Sequence, residues 1–439
     1  MRKGLEPVDM TANLHRSRAP IHLEGSGYID PAEQRKQTFL RLPFLFAVLF
    51  ILVSTYLDLP IYFGTVKPEL LPKYWFTAFL IISLPWTFIN LSGRAPYSAA
   101  PYTLWATAYV ILTSFHWIAA TSDGETTRAA VIETKLQYVI LSGLLGVAFS
   151  AVTPKQYTFV FPILVAIISS LIIVDFLDNG KFYSYDIVGA VVGRGAGTFI
   201  NSTRAGEALI ITLLLTMVRF RGLLLLLLLL FAGLAALLTF SRAAIIAWVL
   251  IWPFALRTKR LPAYTYAVLF GLFFVVPLII TALINYTSLS TELAAGQKDI
   301  MERLSFFEEY SLEDASARER SEVLWAGIDV FLNHPFFGAG AGYTFVWEHN
   351  VSTHNEIVLL AAEYGIFGIV LWIWMAYILW NGSYFSRRDN QISIALYFMY
   401  FSMFSHNLFD FSPYILLAFA FASQRRRPDG LRLAAMRGP

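Results

Sequence analysis

The chain contains no cysteine, and only 14% of its 439 residues are charged. The absence of cysteine excludes a disulfide framework, a thiolate nucleophile and a cysteine-ligated metal. The scarcity of charge excludes an ordinary soluble surface, because 57% of the residues are hydrophobic and the mean hydropathy is +0.58. Apolar runs such as residues 222–240 are longer than the buried strands of soluble proteins. The composition therefore predicts a membrane protein.

The apolar runs predict an all-α, polytopic integral membrane protein with about twelve transmembrane helices, because one crossing takes roughly 17 to 25 residues. The predicted domains are a tail at 1–37, a transmembrane domain at 38–424 and a second tail at 425–439. Residues 286–353 are charged, and part of this segment has apolar residues at helical spacing. One large, partly helical loop is therefore predicted. The spans are expected near 39–57, 74–91, 101–121, 136–152, 157–175, 205–220, 222–240, 243–256, 262–285, 355–380, 391–409 and 412–424.

Basic residues mark one face of the predicted membrane domain. Both tails are rich in arginine, and the short connections at 219–221 and 257–260 each carry basic residues. Since short cytoplasmic connections hold the excess of Lys and Arg, both tails are expected in the cytoplasm and the large loop on the outer side. The net charge of +3 then reflects topology, and no nucleic-acid partner is expected.

Arg204, Arg242 and His354 lie at the outer ends of predicted spans, where such side chains are costly without a partner or a ligand. Arg204 begins a span within Asn-Ser-Thr-Arg, so N–H groups of a helix start and a guanidinium are expected to attract phosphate together. Arg242 follows a short turn, and its fork of donors suits bidentate phosphate binding. The alternative for each arginine is a snorkelling side chain at the interface.

Histidines supply the candidate base. An imidazole with a pKa of about 6.5 is mostly neutral at neutral pH, so His354 is suited to accept a proton from a sugar hydroxyl. The alternative for His354 is a capping or core residue. His406 and Asp410 are four residues apart, which predicts that they share one helical face. They are expected to shape an acceptor site or pair with Arg242, or else to form a structural hydrogen-bonded pair.

Two acidic residues fall inside predicted spans. Glu207 and Glu363 are expected to orient nearby arginines or backbone groups rather than to react. The predicted loop contains neither a His-Glu-x-x-His nor an Asp-x-Asp run, so the sequence gives little support for a bound metal.

Three short motifs follow one another closely near the end of the predicted loop. They are H-P-F-F-G-A-G at 334–340, H-N-E-I-V-L at 354–359 and E-Y-G-I-F-G at 363–368. In this order they resemble the signature of the O-antigen ligase and O-antigen polymerase superfamily. The resemblance implies a multi-pass enzyme of the bacterial inner membrane, which transfers a glycan from an undecaprenyl diphosphate carrier to an acceptor at the periplasmic face.

The resemblance also implies roles for individual residues. His354 matches the histidine that deprotonates the acceptor hydroxyl, and Arg204 and Arg242 match arginines that hold the diphosphate. Arg320 is similar to a loop arginine of the family, and Asn355 belongs to the histidine motif. Both are expected to bind substrate or to support the site.

These roles predict an inverting, metal-independent glycosyltransferase without a cofactor. Negative charge builds up on the leaving diphosphate, and two guanidiniums can stabilise that charge without a divalent ion. The expected partners are an undecaprenyl diphosphate-linked glycan donor, lipid A-core or another glycan acceptor, and membrane lipids.

Three functions remain open. The first is a ligase of lipopolysaccharide biosynthesis that joins a glycan to lipid A-core, and the second is a polymerase of the same superfamily that extends a lipid-linked glycan. The single long loop and the single His-Asn motif favour the ligase by analogy. The third is a polysaccharide or lipid transporter, which would predict charges spread through the spans rather than gathered at one face.

Overall fold

The computed structural model describes most of the predicted transmembrane domain. The described residues are 44–49, 51–56, 72–91, 95–150, 159–178, 181–183, 192–272, 315–349, 351–382, 388–406, 408–409 and 412–425, with single positions 190, 274, 275, 278 and 282. All of them belong to one compact unit, residues 42–439.

The described residues form helices and connections, with no strand among them. The expected all-α class is therefore confirmed for this part of the chain. The helices labelled here are α1 (Pro72–Leu91), α2 (Ala95–Ser122), α3 (Thr126–Ala148), α4 (Val160–Leu177), α5 (Ser202–Thr216), α6 (Gly222–Leu238), α7 (Arg242–Arg257), α8 (Ala315–Asn333), α9 (Tyr343–Val346), α10 (Glu356–Tyr364), α11 (Ile366–Asn381), α12 (Arg388–Ser402) and α13 (Pro413–Ala422).

Three described segments are long and apolar enough to cross a bilayer: Ala99–Ser122, Thr126–Ala148 and Val160–Leu177. Further apolar helices are shorter, among them α6, α11 and α13. The count of about twelve crossings, the membrane orientation and the periplasmic loop stay predictions. Within that loop, residues 286–314 lie outside the described residues, whereas α8 begins at Ala315 and gives the described part its helical character.

Small residues allow the helices of the core to approach closely. Gly206 of α5 lies against Ala244 of α7, where an added Cβ would come 2.5 Å from the alanine Cβ. Gly233 of α6 likewise leaves room for the Trp248 indole, whose Nε1 donates to the Leu229 carbonyl at 2.8 Å. Such close approach is typical of packing between apolar helices, which has little hydrophobic driving force in lipid.

The predicted span at 355–380 is two helices rather than one. Gly365 separates α10 from α11 with φ +62°, and an added Cβ there would lie 2.6 Å from the Pro335 carbonyl oxygen. The chain breaks here because this backbone conformation and this close approach both require glycine. The chain at Pro335, just after α8, therefore packs against the break between α10 and α11.

The predicted span at 391–409 also ends early. The helix α12 stops at Ser402, and the chain continues through turns in which Met403 N donates to Tyr400 O at 3.1 Å and Phe404 N donates to Phe401 O at 3.0 Å. These i to i−3 bonds tighten and close the last helical turn. His406 therefore lies in a connection between helices and not on the face of one.

Candidate active site

Arg204 lies in the first turn of α5. Asn201 caps this helix, and its side chain accepts from Thr203 N at 2.8 Å. The glycine-rich loop before the cap is anchored by the buried Asp175, whose Oδ2 accepts from Ala196 N at 2.8 Å and Gly197 N at 3.0 Å. Hydrogen bonds thus hold both the loop before Asn201 and the first turn of α5 after it.

Arg242 is the first residue of α7, and Ser241 is its N-cap. The close approach of Gly206 to Ala244 brings the first turns of α5 and α7 together. The two arginines predicted to bind diphosphate therefore sit at the starts of two adjacent helices. Helix starts carry partial positive charge, which adds to that of the guanidiniums.

His354 immediately precedes α10. Asn355 is the N-cap of that helix, and its Oδ1 accepts from Ile357 N at 3.0 Å and Val358 N at 3.1 Å. The buried Glu356 accepts from Leu408 N at 3.1 Å, which ties the helix start to the connection after α12. The structure thus gives Asn355 a capping role that orients the backbone around His354.

One backbone device is shared by all three helix starts. Ile200, Phe240 and His354 have φ of +65°, +48° and +50°, and each directly precedes the N-cap of α5, α7 or α10. A non-glycine residue in the left-handed region costs of order 1–3 kcal/mol, and such residues cluster at functional sites. The positive φ before each N-cap indicates that these three helix starts share a fixed backbone geometry.

His406 lies against His354. The two imidazole centroids are 4.8 Å apart, and the rings meet edge to face at 79°. The expectation that His406 and Asp410 share a helical face is wrong for His406, because α12 ends at Ser402. Asp410 lies outside the described residues. The Nδ1 atom of His406 is buried and has no hydrogen-bond partner among the described residues.

Burial and positive charge act on both histidines. Burial, and to a smaller extent the positive charge of Arg320, together lower the pKa of His354 to about 4. Burial also lowers the pKa of His406 well below its ordinary value, followed by the effects of His354, Arg204, Lys135 and Arg320. Both imidazoles are therefore neutral at neutral pH, and the surrounding region is electropositive.

Arg320 reaches this region from α8. The buried Val323 and the close-packed Gly327 lie three and seven residues after Arg320, on the same helical face. An added Cβ at Gly327 would lie 2.8 Å from Thr353 Cγ2, so this face packs directly beside His354. Arg320, which is similar to a loop arginine of the family, thus lies on the helical face next to the candidate base.

The glycines of the first and third motifs have a structural explanation. Ala339 N donates to Ala362 O at 2.8 Å, Gly340 N donates to Glu363 O at 3.0 Å, and Ile366 N donates to Pro335 O at 2.8 Å. The two motifs therefore form one unit joined through the backbone. An added Cβ at Gly338 would lie 2.5 Å from Glu363 O, so glycine permits this contact.

Sequence reasoning missed the residues that hold this unit from the other side. Lys135 of α3 forms an ion pair with Glu363 of α10 at 2.7 Å, and both side chains are fully buried. Thr344 Oγ1 donates to Glu363 Oε1 at 2.9 Å. Among the described residues, the carboxylate of Glu363 thus contacts a lysine and a threonine, not the expected arginine or backbone group. The position of Lys135 directly before the apolar run predicted to span the membrane at 136–152 was the available signal.

Two further side chains contact the same segment. Arg128 of α3 donates through Nε to Ala341 O and through Nη2 to Ala339 O, both at 2.8 Å. His116 of α2 accepts from Ala341 N at 2.9 Å through Nδ1. With Lys135, these residues form a cradle on α2 and α3 for the segment that leads to His354.

Glu207 and the expected absence of a metal ion are the remaining sequence predictions for this region. Glu207 lies three residues after Arg204 on α5 and is fully buried, and its expected role in orienting that arginine stays a prediction. Among the described residues, no group of three or more His, Asp or Glu side chains could hold a metal ion. The expectation of metal-independent chemistry stays a prediction.

Residues 224–373 match the family model described as O-antigen ligase. This is the family of the sequence resemblance. The match covers about a third of the chain and includes Arg242, Arg320 and His354, whereas Arg204 and His406 lie outside it. No curated protein matches the chain. The family match and the apolar helices support a glycosyltransferase-like membrane enzyme that acts on lipid-linked glycans.

The ion pair of Lys135 with Glu363 makes a stability prediction. Lys135→Met is expected to lower the free energy of unfolding by about 3 to 5 kcal/mol, because Glu363 is left buried without its counter-charge. Thermal unfolding of the purified protein in one detergent measures the loss. Combining Lys135→Met with Glu363→Gln should restore part of it, since both charges are then gone.

A matched control is available on the surface. Lys181 pairs with Asp178 at 2.9 Å, but both side chains are half-exposed, so Lys181→Met should change stability little. Equal unfolding temperatures for Lys135→Met and Lys181→Met would show that the buried pair does not hold the fold.

Proposed function

We propose that this protein is a glycosyltransferase of the O-antigen ligase type. It transfers a glycan from undecaprenyl diphosphate to lipid A-core at the periplasmic face of the bacterial inner membrane. The observation that carries the proposal is the juxtaposition of the neutral His354 with His406, 4.8 Å between centroids, under the positive charge of Arg204 and Arg320. The match of residues 224–373 to the O-antigen ligase family supports the same chemistry.

In the proposed reaction, His354 removes the proton from the acceptor hydroxyl. The acceptor oxygen attacks the anomeric carbon, and the bond from that carbon to the diphosphate oxygen breaks with inversion. The electron pair leaves with the diphosphate, whose added charge is stabilised by Arg204 and Arg242 at their adjacent helix starts. Direct displacement needs one base and one anion site, and neither the proton removal nor the departure of the diphosphate needs a metal ion.

The second candidate function is the polymerase. The same base and the same arginines would serve if the acceptor were the sugar of another lipid-linked glycan, and the family match supports either acceptor. Purified protein in proteoliposomes with the lipid-linked donor distinguishes the two. Transfer to lipid A-core is expected; growth of the lipid-linked glycan alone would favour the polymerase, and translocation without transfer would favour a transporter.

His354→Ala is expected to abolish transfer in this assay while the protein unfolds at the same temperature. The reason is that the variant lacks the imidazole that accepts the acceptor proton in the proposed reaction. His349→Ala is the matched control, because His349 lies in the same connecting segment but contacts Trp347 instead. Wild-type turnover by His354→Ala would exclude the proposed base.

The pH profile follows from the pKa of His354. Its value of about 4 in the folded protein means that the neutral base persists well below the ordinary value of 6.5. The acid limb of kcat/KM is therefore expected near pH 4 rather than near 6.5. Stability should instead fall from pH 6.5 downward, since the unfolded chain binds a proton that the folded protein does not. An acid limb near 6.5 would contradict the assignment.

The arginines make a separate prediction about the donor. Arg204→Ala and Arg242→Ala should each lower kcat/KM for the lipid-linked donor by at least about tenfold, and the lysine variants should recover only part, because the planar fork is lost. Arg318→Lys is the control, as Arg318 is exposed on α8. Transfer should continue in EDTA. Full recovery by both lysine variants, or reversible inhibition by the chelator, would contradict the proposed diphosphate site.

A further inference from the structure

A pair of phenylalanines is strongly exposed at the corner that follows α8. Phe336 is 70% exposed and Phe337 is 62% exposed, and Leu332 near the end of α8 is 65% exposed. Exposing apolar side chains of this size to water costs roughly 25 cal/mol for each Å² of apolar surface. The corner formed by residues 335–337, here termed the aromatic corner, therefore needs an apolar surrounding.

The aromatic corner is attached to the start of α11. Ile366 N donates to Pro335 O at 2.8 Å, and the ring of Phe337 lies 5.4 Å from that of Phe367. The corner is thus fixed to the end of an apolar helix. It cannot turn inward without losing both contacts.

The exposed face of α11 continues directly into this corner. Ile366, Val370, Ile373 and Tyr377 are between 44% and 58% exposed and follow one another at spacings of four, three and four residues. Such spacing forms one stripe along a helix. In an apolar helix of a membrane protein this stripe faces lipid, and the aromatic corner extends it beyond the helix start.

The exposed face of α8 differs in kind. Arg318, Glu319, Glu322 and Asp329 are exposed along that helix. These charges require water, whereas Phe336 lies only seven residues after Asp329. The boundary between water and lipid therefore falls between the charged part of α8 and the aromatic corner, which is the depth at which aromatic side chains accumulate.

We propose that the aromatic corner inserts into the bilayer, where Phe336 and Phe337 contact the acyl chains of the leaflet on the side of the candidate active site. The corner precedes the segment whose backbone bonds to Ala362 and Glu363, so its insertion fixes the height of the His354 segment above the lipid. This inference rests on membrane placement and not on the proposed glycosyl transfer.

The absence of cysteine makes the insertion directly measurable. Phe336→Cys introduces a unique thiol for a nitroxide label, and the labelled protein is placed in nanodiscs of phosphatidylethanolamine and phosphatidylglycerol. The collision rates of the label with oxygen, which partitions into lipid, and with a water-soluble nickel chelate are then compared. Val370→Cys is the lipid-facing control, and Glu322→Cys is the water-facing control.

The label at position 336 is expected to collide with oxygen several-fold more than with the chelate, as at position 370. A chelate preference like that at position 322 would overturn the insertion. If Phe336→Cys fails to fold, Leu332→Cys gives the same comparison from the end of α8. Lipid exposure at position 336 in a protein that transfers no glycan would support the insertion while counting against the proposed function.

Discussion

The buried ion pair between Lys135 and Glu363 is the interaction on which the candidate site depends. Two opposite charges in an apolar interior are stable only when they are close and hydrogen-bonded, and this pair meets both conditions through its 2.7 Å contact and the hydroxyl of Thr344. Glu363 also offers its carbonyl to Gly340. One residue thereby joins α3, α10 and the segment before His354.

Around this anchor, the candidate site is formed by the starts of helices rather than by their middles. Arg204, Arg242 and His354 each belong to a helix start at which the residue before the N-cap has a positive φ, and two of the three starts are capped by asparagine. Such starts combine partial positive charge with fixed backbone geometry. This arrangement supports the proposed diphosphate site.

The roles assigned to the candidate site residues stay predictions. The sequence did predict the helical class of the described residues and the family that residues 224–373 match, because apolar runs and short motifs are local signals. It predicted less well where helices break. Gly365 divides the predicted span at 355–380, and the break depends on its positive φ and on the approach of the Pro335 carbonyl, which comes from another part of the chain. The same limit applies to Lys135, since its partner Glu363 is distant in sequence and their pairing is a property of the fold.

His406 illustrates both sides of this comparison. Its selection from the sequence rested on a helical spacing that the structure does not have, yet it lies beside His354 because the connection after α12 folds back onto α10. That connection is tied to α10 through Leu408 and Glu356, and α13 is tied to α5 by the Tyr414 hydroxyl, which donates to Arg204 O at 3.1 Å. The described parts of the connection after α12 and the helix α13 thus contact both the start of α10 beside His354 and the start of α5 at Arg204, and these two hydrogen bonds oppose a separation of the two helix starts.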